Sequence, residues 1–349
     1  MLKFLLYIVL ILSLFACNTD NPITNNINPN AKQAIVLCEG LWGYDNSTID
    51  LIDLDSGLVQ KQFFESENGF NLGDTGTDIV LFEGFYYVSV TSSHSIEKIE
   101  AKSLKSDSRL KLDFKSEPRY ITICSQNEAY YTDLKQNLLV KFNPTTMQKL
   151  AEVKVGAAPE GIAHNSDYIF VANSGLGDYK KNDPLAGYLS IISRKSFSIA
   201  KNEYIGFNPY QVQIDSISQK IYVSYRNLPS QPDSLGGIVE INPLFLTKER
   251  EWKMRITKFI IDNFNNSIFL VNDFGLMSLN LGSGVSKNLL TKSGKDNWYA
   301  LALQTPNLLW VCNAKNYTVD GEVFCFNLKE NSVVSSLKVS INPNNILFK

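Results

Sequence analysis

Four acidic side chains (Asp78, Glu160, Asp178 and Asp273) and two histidines (His94 and His164) are the first places to look for chemistry in this 349-residue sequence. A carboxylate pair can work as acid and base in hydrolysis, but only at a defined separation, which the sequence does not give. Acids scattered over a surface are the default. His94, in "TSSHSIE", reads as a loop residue, and His164 reads as the end of an inner strand. Neither has an evident Ser–Asp partnership. The sequence holds no G-x-S-x-G, no P-loop and no H-E-x-x-H, so the common signatures of a nucleophile elbow, a phosphate cradle and a zinc hydrolase are missing. "SGLGDYK" carries two glycines but opens no helix, and the acids at 178 and 183 lack the spacing of a calcium loop. Beyond the N-terminal segment the cysteines are Cys38, Cys124, Cys312 and Cys325, with no C-x-x-C. With only two histidines to add, a zinc site is not expected. Cys312 and Cys325 fall on neighbouring strands and could face each other, but four buried thiols is the favoured reading. No catalytic residue, cofactor or metal is assigned.

Binding chemistry is what remains. The chain has 20 Phe, 16 Tyr and 4 Trp, is 44% hydrophobic and carries a formal net charge of −2. A near-neutral balance argues against a nucleic-acid partner, which calls for a concentrated basic surface. Positioning so many aromatics requires a scaffold, and the scaffold is written as a repeat. "AIVLCE", "FYYVSV", "EAYYTD", "YIFVAN", "KIYVSY", "SIFLVN" and "LLWVCN" start at residues 34, 85, 128, 168, 220, 267 and 308. That spacing of 40 to 52 residues is the period of a propeller blade with four short strands. Each copy is followed by a second Ile/Leu-rich strand, a turn and a polar outer strand. It is preceded by a short piece such as "EPRYITI", "APEGIAH" or "NPYQVQI". There the proline disfavours helix and directs the chain into the innermost strand.

The expected fold is therefore all-β: a seven-bladed β-propeller of four-stranded blades over residues 34–349. The first unit lacks an innermost strand and the chain ends with a spare one, "NPNNILF". Ring closure explains both: the C-terminal strand completes the first blade and removes two open sheet edges.

In an up-and-down blade, the loop between the second and third strands shares a face with the inter-blade connection. The long loops, 40–47, 173–187, 225–237 and 313–321, all lie on that face, and long ordered loops tend to carry function. The two residues after each motif proline, or its equivalent, are expected to ring the channel mouth there. They are Thr77/Asp78, Arg119/Tyr120, Glu160/Gly161, Tyr210/Gln211, Thr257/Lys258, Trp298/Tyr299 and Asn344/Asn345. The loops add Trp42, Tyr44, Tyr179, Tyr225, Arg226, Phe274 and Tyr317. Broad aromatic surfaces among dispersed donors and acceptors suit a large, flat, polar-edged ligand or a protein partner.

The N-terminus "MLKFLLYIVLILSLFAC" has one early Lys and an apolar stretch from Phe4 to Phe15, the pattern of an export signal. "LFAC" resembles a bacterial lipobox, which implies cleavage before Cys17 and its lipidation. Residues 1–17 are thus expected to be a lipoprotein signal peptide. The Asn/Pro-rich residues 18–33 are expected to be a flexible tether.

The strands "YVSV", "FVANSG" and "YVSYR" resemble YVTN-type, surface-layer-like propeller repeats. "CEGLWGYDNSTIDLID", "NLGDTGTDI", "EPRYI" and "APEGIA" resemble the exported propeller lipoproteins common in Bacteroidetes. That group includes a cell-surface receptor that captures vitamin B12 for its outer-membrane transporter. The resemblance implies a surface-exposed outer-membrane lipoprotein, held to the membrane by its lipid. It further implies a corrinoid as leading ligand and a TonB-dependent transporter as partner. Two other readings stand beside it: a protein-docking scaffold of the cell envelope, and a propeller lyase or lactonase.

Overall fold

The computed structural model describes residues 28–294 and 296–349. Cys17, the expected signal peptide and the first ten residues of the expected tether lie outside them. The described chain forms seven four-stranded antiparallel sheets, arranged as the blades of a propeller. The inner strands are Pro343–Phe348, Gly76–Phe82, Pro118–Ser125, Pro159–His164, Pro209–Ile214, Lys258–Asp262 and Trp298–Thr305, from the first blade to the seventh. Each packs against the inner strands of the blades on either side, and the last closes onto the first.

The burial of each strand follows its place in the blade. The second strands, such as Glu128–Asp133 and Tyr168–Asn173, are buried on both faces, between the blades before and after. That is why they read as unbroken β-branched and aromatic runs rather than as alternation. Outer strands such as Gln148–Lys154 are mostly exposed and carry the charges.

The first blade is built as the chain ends require. Pro343–Phe348 pairs antiparallel with Gln33–Cys38, placing Ala34 opposite Phe348 and Val36 opposite Ile346. Phe348 and Ile346 join Ala34, Val36 and Trp310 in one buried cluster between the first and seventh blades. Ala31 belongs to the same cluster, so the last residues before the propeller are already seated on it. One element has no counterpart in the repeat: a short helix, Phe63–Asn68, lies between the first and second blades and buries Phe64. The outer strand beside it is only Val59–Gln60.

The motif proline coincides with a local distortion. The register of the inner strand slips at its start in the third, fourth and fifth blades, between Pro118 and Ile121, Pro159 and Ile162, and Pro209 and Gln211. The second and seventh blades slip at Gly76–Asp78 and Trp298–Ala300. Such a bulge re-aims the side chains beside it. The sixth blade, whose "RITKFII" lacks the proline, runs from Lys258 in unbroken register.

Cys38, Cys124, Cys312 and Cys325 are buried thiols that no disulfide joins. Cys312 faces Val323 and Cys325 faces Trp310 across their strands, so the two thiols are offset rather than opposite. Burial pushes each of them up to about 12.

Candidate functional site

The starts of the inner strands converge on one end of the channel. On the third blade Arg119 donates from Nε to Glu160 of the fourth at 2.9 Å, and from Nη1 to Thr77 of the second at 3.3 Å. Burial works against the charge on Arg119, but Glu160 and the neighbouring tyrosines outweigh it and keep the guanidinium protonated. Tyr120, the next residue, donates to the Tyr210 hydroxyl at 2.9 Å, with the two rings edge to face. Lys258 Nζ donates to the same Tyr120 hydroxyl at 3.2 Å and lies near the faces of both rings. Burial holds the Tyr120 hydroxyl protonated.

A second cation sits over this pair. The Arg226 guanidinium lies 3.5 Å from the centre of the Tyr210 ring and donates to the Thr257 carbonyl at 2.7 Å. Stacking of this kind is a favourable use of an aromatic face. On the other side of the mouth Tyr299 donates to Glu39 at 3.1 Å and meets Tyr317 edge to face.

The electrostatic balance of the mouth follows from burial. Burial raises the carboxyl of Glu39, with Arg119 and the Tyr299 hydrogen bond acting against it. Burial also raises Asp78, which accepts from the Ile121 amide at 2.9 Å. Glu160 is committed to Arg119. Lys258 has tyrosine rings and a hydroxyl around it, and among the described residues no carboxylate lies within ion-pair distance of it. Arg226 likewise contacts a carbonyl and a ring rather than an acid. The mouth thus presents two cations without a partner acid, framed by tyrosine hydroxyls.

Several residues expected at the mouth serve to join blades. Gln211 accepts from the Phe259 amide and donates to its carbonyl, both at 3.0 Å. Gln213 donates to the same Phe259 carbonyl at 2.9 Å and accepts from the Ile261 amide at 3.2 Å. These side chains stand in for a missing strand between the fifth and sixth blades. Asn344 donates to the Gly76 carbonyl at 2.9 Å, and Asp78 ties the second blade to the third. Trp298 and Tyr225 are corrections to the expected ring. Trp298 is buried within the seventh blade against Phe324, because the bulge turns it away from the axis and leaves Tyr299 at the mouth. Tyr225 is buried between the fourth and fifth blades and donates to Glu251 on the outer strand.

The loop residues lie further out. Trp42 and Tyr179 are each 82% exposed, and Tyr44 and Phe274 are also exposed. Asp178, beside Tyr179, accepts from the Ser230 amide at 2.6 Å and from Lys181 at 2.9 Å. That clasp holds the long loops of the fourth and fifth blades together.

Glu39 is the residue that sequence reading left out. It follows the second strand of the first blade, where the other blades place Thr91, Leu134, Ser174, Arg226, Asn272 and Ala314, and an acid at that position alone was the available signal. The channel that runs from Asp78, Tyr120 and Lys258 at the mouth to Thr122, His164, Gln213 and Asn263 holds a cavity of about 220 Å³. A large ligand would therefore rest on the mouth rather than enter the channel. Among the described residues no three His, Cys, Asp or Glu side chains gather as metal ligands would.

Comparison with known proteins supports the architecture. A family model described as a domain of unknown function (DUF5074) matches residues 32–202, from the first blade to the outer strand of the fourth. No match is found among curated protein sequences. Among solved structures, a "Quinonprotein alcohol dehydrogenase-like protein" from Bacteroides thetaiotaomicron is similar with a TM-score of 0.64 at 14% identity. The match covers 93% of this chain and 79% of that one. A functionally unknown protein from Desulfotomaculum acetoxidans is similar at a TM-score of 0.67 and 12% identity, over 91% of this chain and 99% of that one. Apo AztD from Citrobacter koseri is similar at 0.56 and 12% identity, over 90% and 97%. At such identities the likeness is one of fold, and the fold that these proteins share with this chain is the β-propeller.

Proposed function

We propose that this chain is a lipid-anchored binding protein of the cell envelope whose channel mouth captures a large, flat small molecule with polar edges and an anionic group. One observation carries the reading. Lys258 and Arg226 converge on the Tyr120–Tyr210 pair without a carboxylate partner, inside a rim of exposed aromatics that no blade contact requires. An anionic group there would gain charge-assisted hydrogen bonds. The tyrosine and tryptophan surfaces would cover an apolar plane. Glu160 is committed to Arg119, Glu39 and Asp78 are buried, Asp178 is bonded to Lys181 and Ser230, and Asp273 lies 3.5 Å from Arg255, so each of these acids already has a role or a partner and binding is favoured over turnover.

A corrinoid meets these terms, having a flat macrocycle, an amide-edged rim and a phosphodiester. It is also the ligand that the resemblance to Bacteroidetes propeller lipoproteins suggests, with hand-off to a TonB-dependent outer-membrane transporter. Calorimetric titration of residues 28–349 with cyanocobalamin tests it. Saturable heat at micromolar ligand is expected, weakened about 30-fold by Tyr210→Ala, as loss of a 2 kcal/mol anchor implies. The absence of heat and of any thermal shift would remove the corrinoid. A titration that Tyr210→Ala leaves unchanged would remove the mouth.

A further inference from the structure

The face opposite the mouth carries an apolar surface on two adjacent blades. Ile217 and Phe264 cap the turns that follow the inner strands of the fifth and sixth blades. Leu244, Phe245 and Val285 cap the turns before their outer strands. All five are between 66% and 83% exposed. At corresponding turns other blades carry polar residues: Gln126, Asp167 and Asn307 after inner strands, and Thr145, Lys195 and Lys329 before outer ones.

Turn chemistry does not call for apolar residues here. In "NPTTM" of the third blade, Asn143 accepts from the amides of Thr145 and Thr146 at 2.8 and 2.9 Å. In "NPLFL" of the fifth blade, Asn242 accepts from Leu244 and Phe245 at 2.8 and 3.1 Å. The turn is the same and only the two tip residues differ, Thr-Thr against Leu-Phe. The inner turns repeat the pattern, with Asp215 holding the Ile217 amide at 2.7 Å and Asp262 holding that of Phe264 at 3.0 Å. These tips form one surface. Asn263 donates to Ser216 at 3.0 Å between the inner turns, and Arg250 reaches across to the Leu281 carbonyl at 2.6 Å.

Gln33 begins the second strand of the first blade opposite the lower end of Pro343–Phe348, and the Lys32 amide donates to the Lys349 carbonyl at 3.1 Å. The described chain therefore enters the ring from this same face. In the sequence, the apolar run Phe4–Phe15 and Cys17 precede that entry. Leu58, exposed on the first blade, lies on this face too.

We propose that, in the free propeller before any hand-off, the exposed tips of the fifth and sixth blades dip into the lipid surface to which the N-terminus is anchored, holding the mouth turned away from the membrane. This rests on the reading of the chain as lipid-anchored. Apolar tips at a bilayer boundary add their own burial to that of the anchor and, unlike the anchor, act on the propeller itself and so set its orientation.

The test replaces the lipid by a histidine tag placed before residue 28, since residues 31–349 contain every strand of the ring. The protein is held on phosphatidylethanolamine/phosphatidylglycerol vesicles containing a nickel-chelating lipid, so a failure of Cys17 lipidation cannot affect the outcome. Phe264→Cys and Tyr179→Cys, each labelled with an environment-sensitive fluorophore, report the two faces. The label at 264 is expected to shift to the blue and brighten on vesicles, while that at 179 stays as in water. In sedimentation without the chelating lipid, Phe245→Ser and Phe264→Ser are each expected to lower vesicle partitioning about tenfold, as loss of one buried large apolar side chain implies. Their melting should be unchanged. A water-like label at 264 on tethered protein would overturn the proposal. So would a blue shift at 264 that grows with protein concentration in the absence of vesicles, because a second copy would then cover the surface.

Discussion

Removing residues 342–349 should abolish cooperative folding, because the ring is closed by that one strand. The loss can be worked from its contacts. Phe348 is 4% exposed and sits against Trp310, and Ile346 is buried with it. Burial of two such side chains contributes about 3–6 kcal/mol together. Gln33–Cys38 would also lose its pairing along Ala34 to Cys38, at about 1–3 kcal/mol for each buried backbone group left alone. Asn344 would no longer join the first blade to the second. The total exceeds a typical domain stability of about 5–15 kcal/mol. Phe348→Ala offers a graded version: a buried Phe truncated to Ala costs about 3–5 kcal/mol, or a fall of roughly 4–7 °C in melting temperature for a domain of this size. Differential scanning calorimetry of residues 28–349, of the Phe348→Ala variant and of residues 28–341 gives the comparison. Aggregation or a broad, non-cooperative melt is expected of the truncated chain. A truncated chain that melts within about a degree of the full one would refute closure, and with it the ring of residues at the mouth.

Three further outcomes follow from named side chains. Because burial raises the Glu39 carboxyl, the folded state holds that proton more tightly than the unfolded chain. Stability should then decline as pH rises from the ordinary carboxylate pKa through that of Glu39, and Glu39→Gln should remove part of that decline in denaturant melts at a series of pH values. The same proton bears on binding: an anionic ligand should bind more tightly as Glu39 protonates, and Glu39→Gln should flatten the pH dependence of its affinity. The four buried thiols should resist a disulfide reagent in the native protein and all react after unfolding without prior reduction. Immediate native reaction, or missing thiols after unfolding, would contradict their placement.

The propeller was legible because its signal is repeated. Seven aromatic second strands at a spacing of 40 to 52 residues leave few other architectures, and the motif proline marks where each inner strand begins. The mouth was legible only by position. A bulge decides which of two consecutive residues faces the axis, so Trp298 turned inward to its blade while Tyr299 reached Glu39. The roles of Gln211, Asp78 and Asn344 depend on the neighbouring blade, and no local pattern announces a side chain that bonds to another strand's backbone. The helix Phe63–Asn68 lies outside the repeat, in a connection where periodicity says nothing. The apolar tips were visible one at a time, but their adjacency arises only once the fifth and sixth blades stand side by side.

The central claim is that the mouth selects a small molecule through Lys258, Arg226 and the Tyr120–Tyr210 pair. Its most direct test does not require the ligand to be known in advance. Residues 28–349 and the Lys258→Met/Tyr210→Ala variant, matched in melting temperature, are each immobilised and exposed to the same envelope extract, and retained compounds are compared by mass spectrometry. The account predicts at least one flat, anion-bearing compound held by the parent and lost from the variant. Identical sets of compounds on both, or none on either, would contradict it.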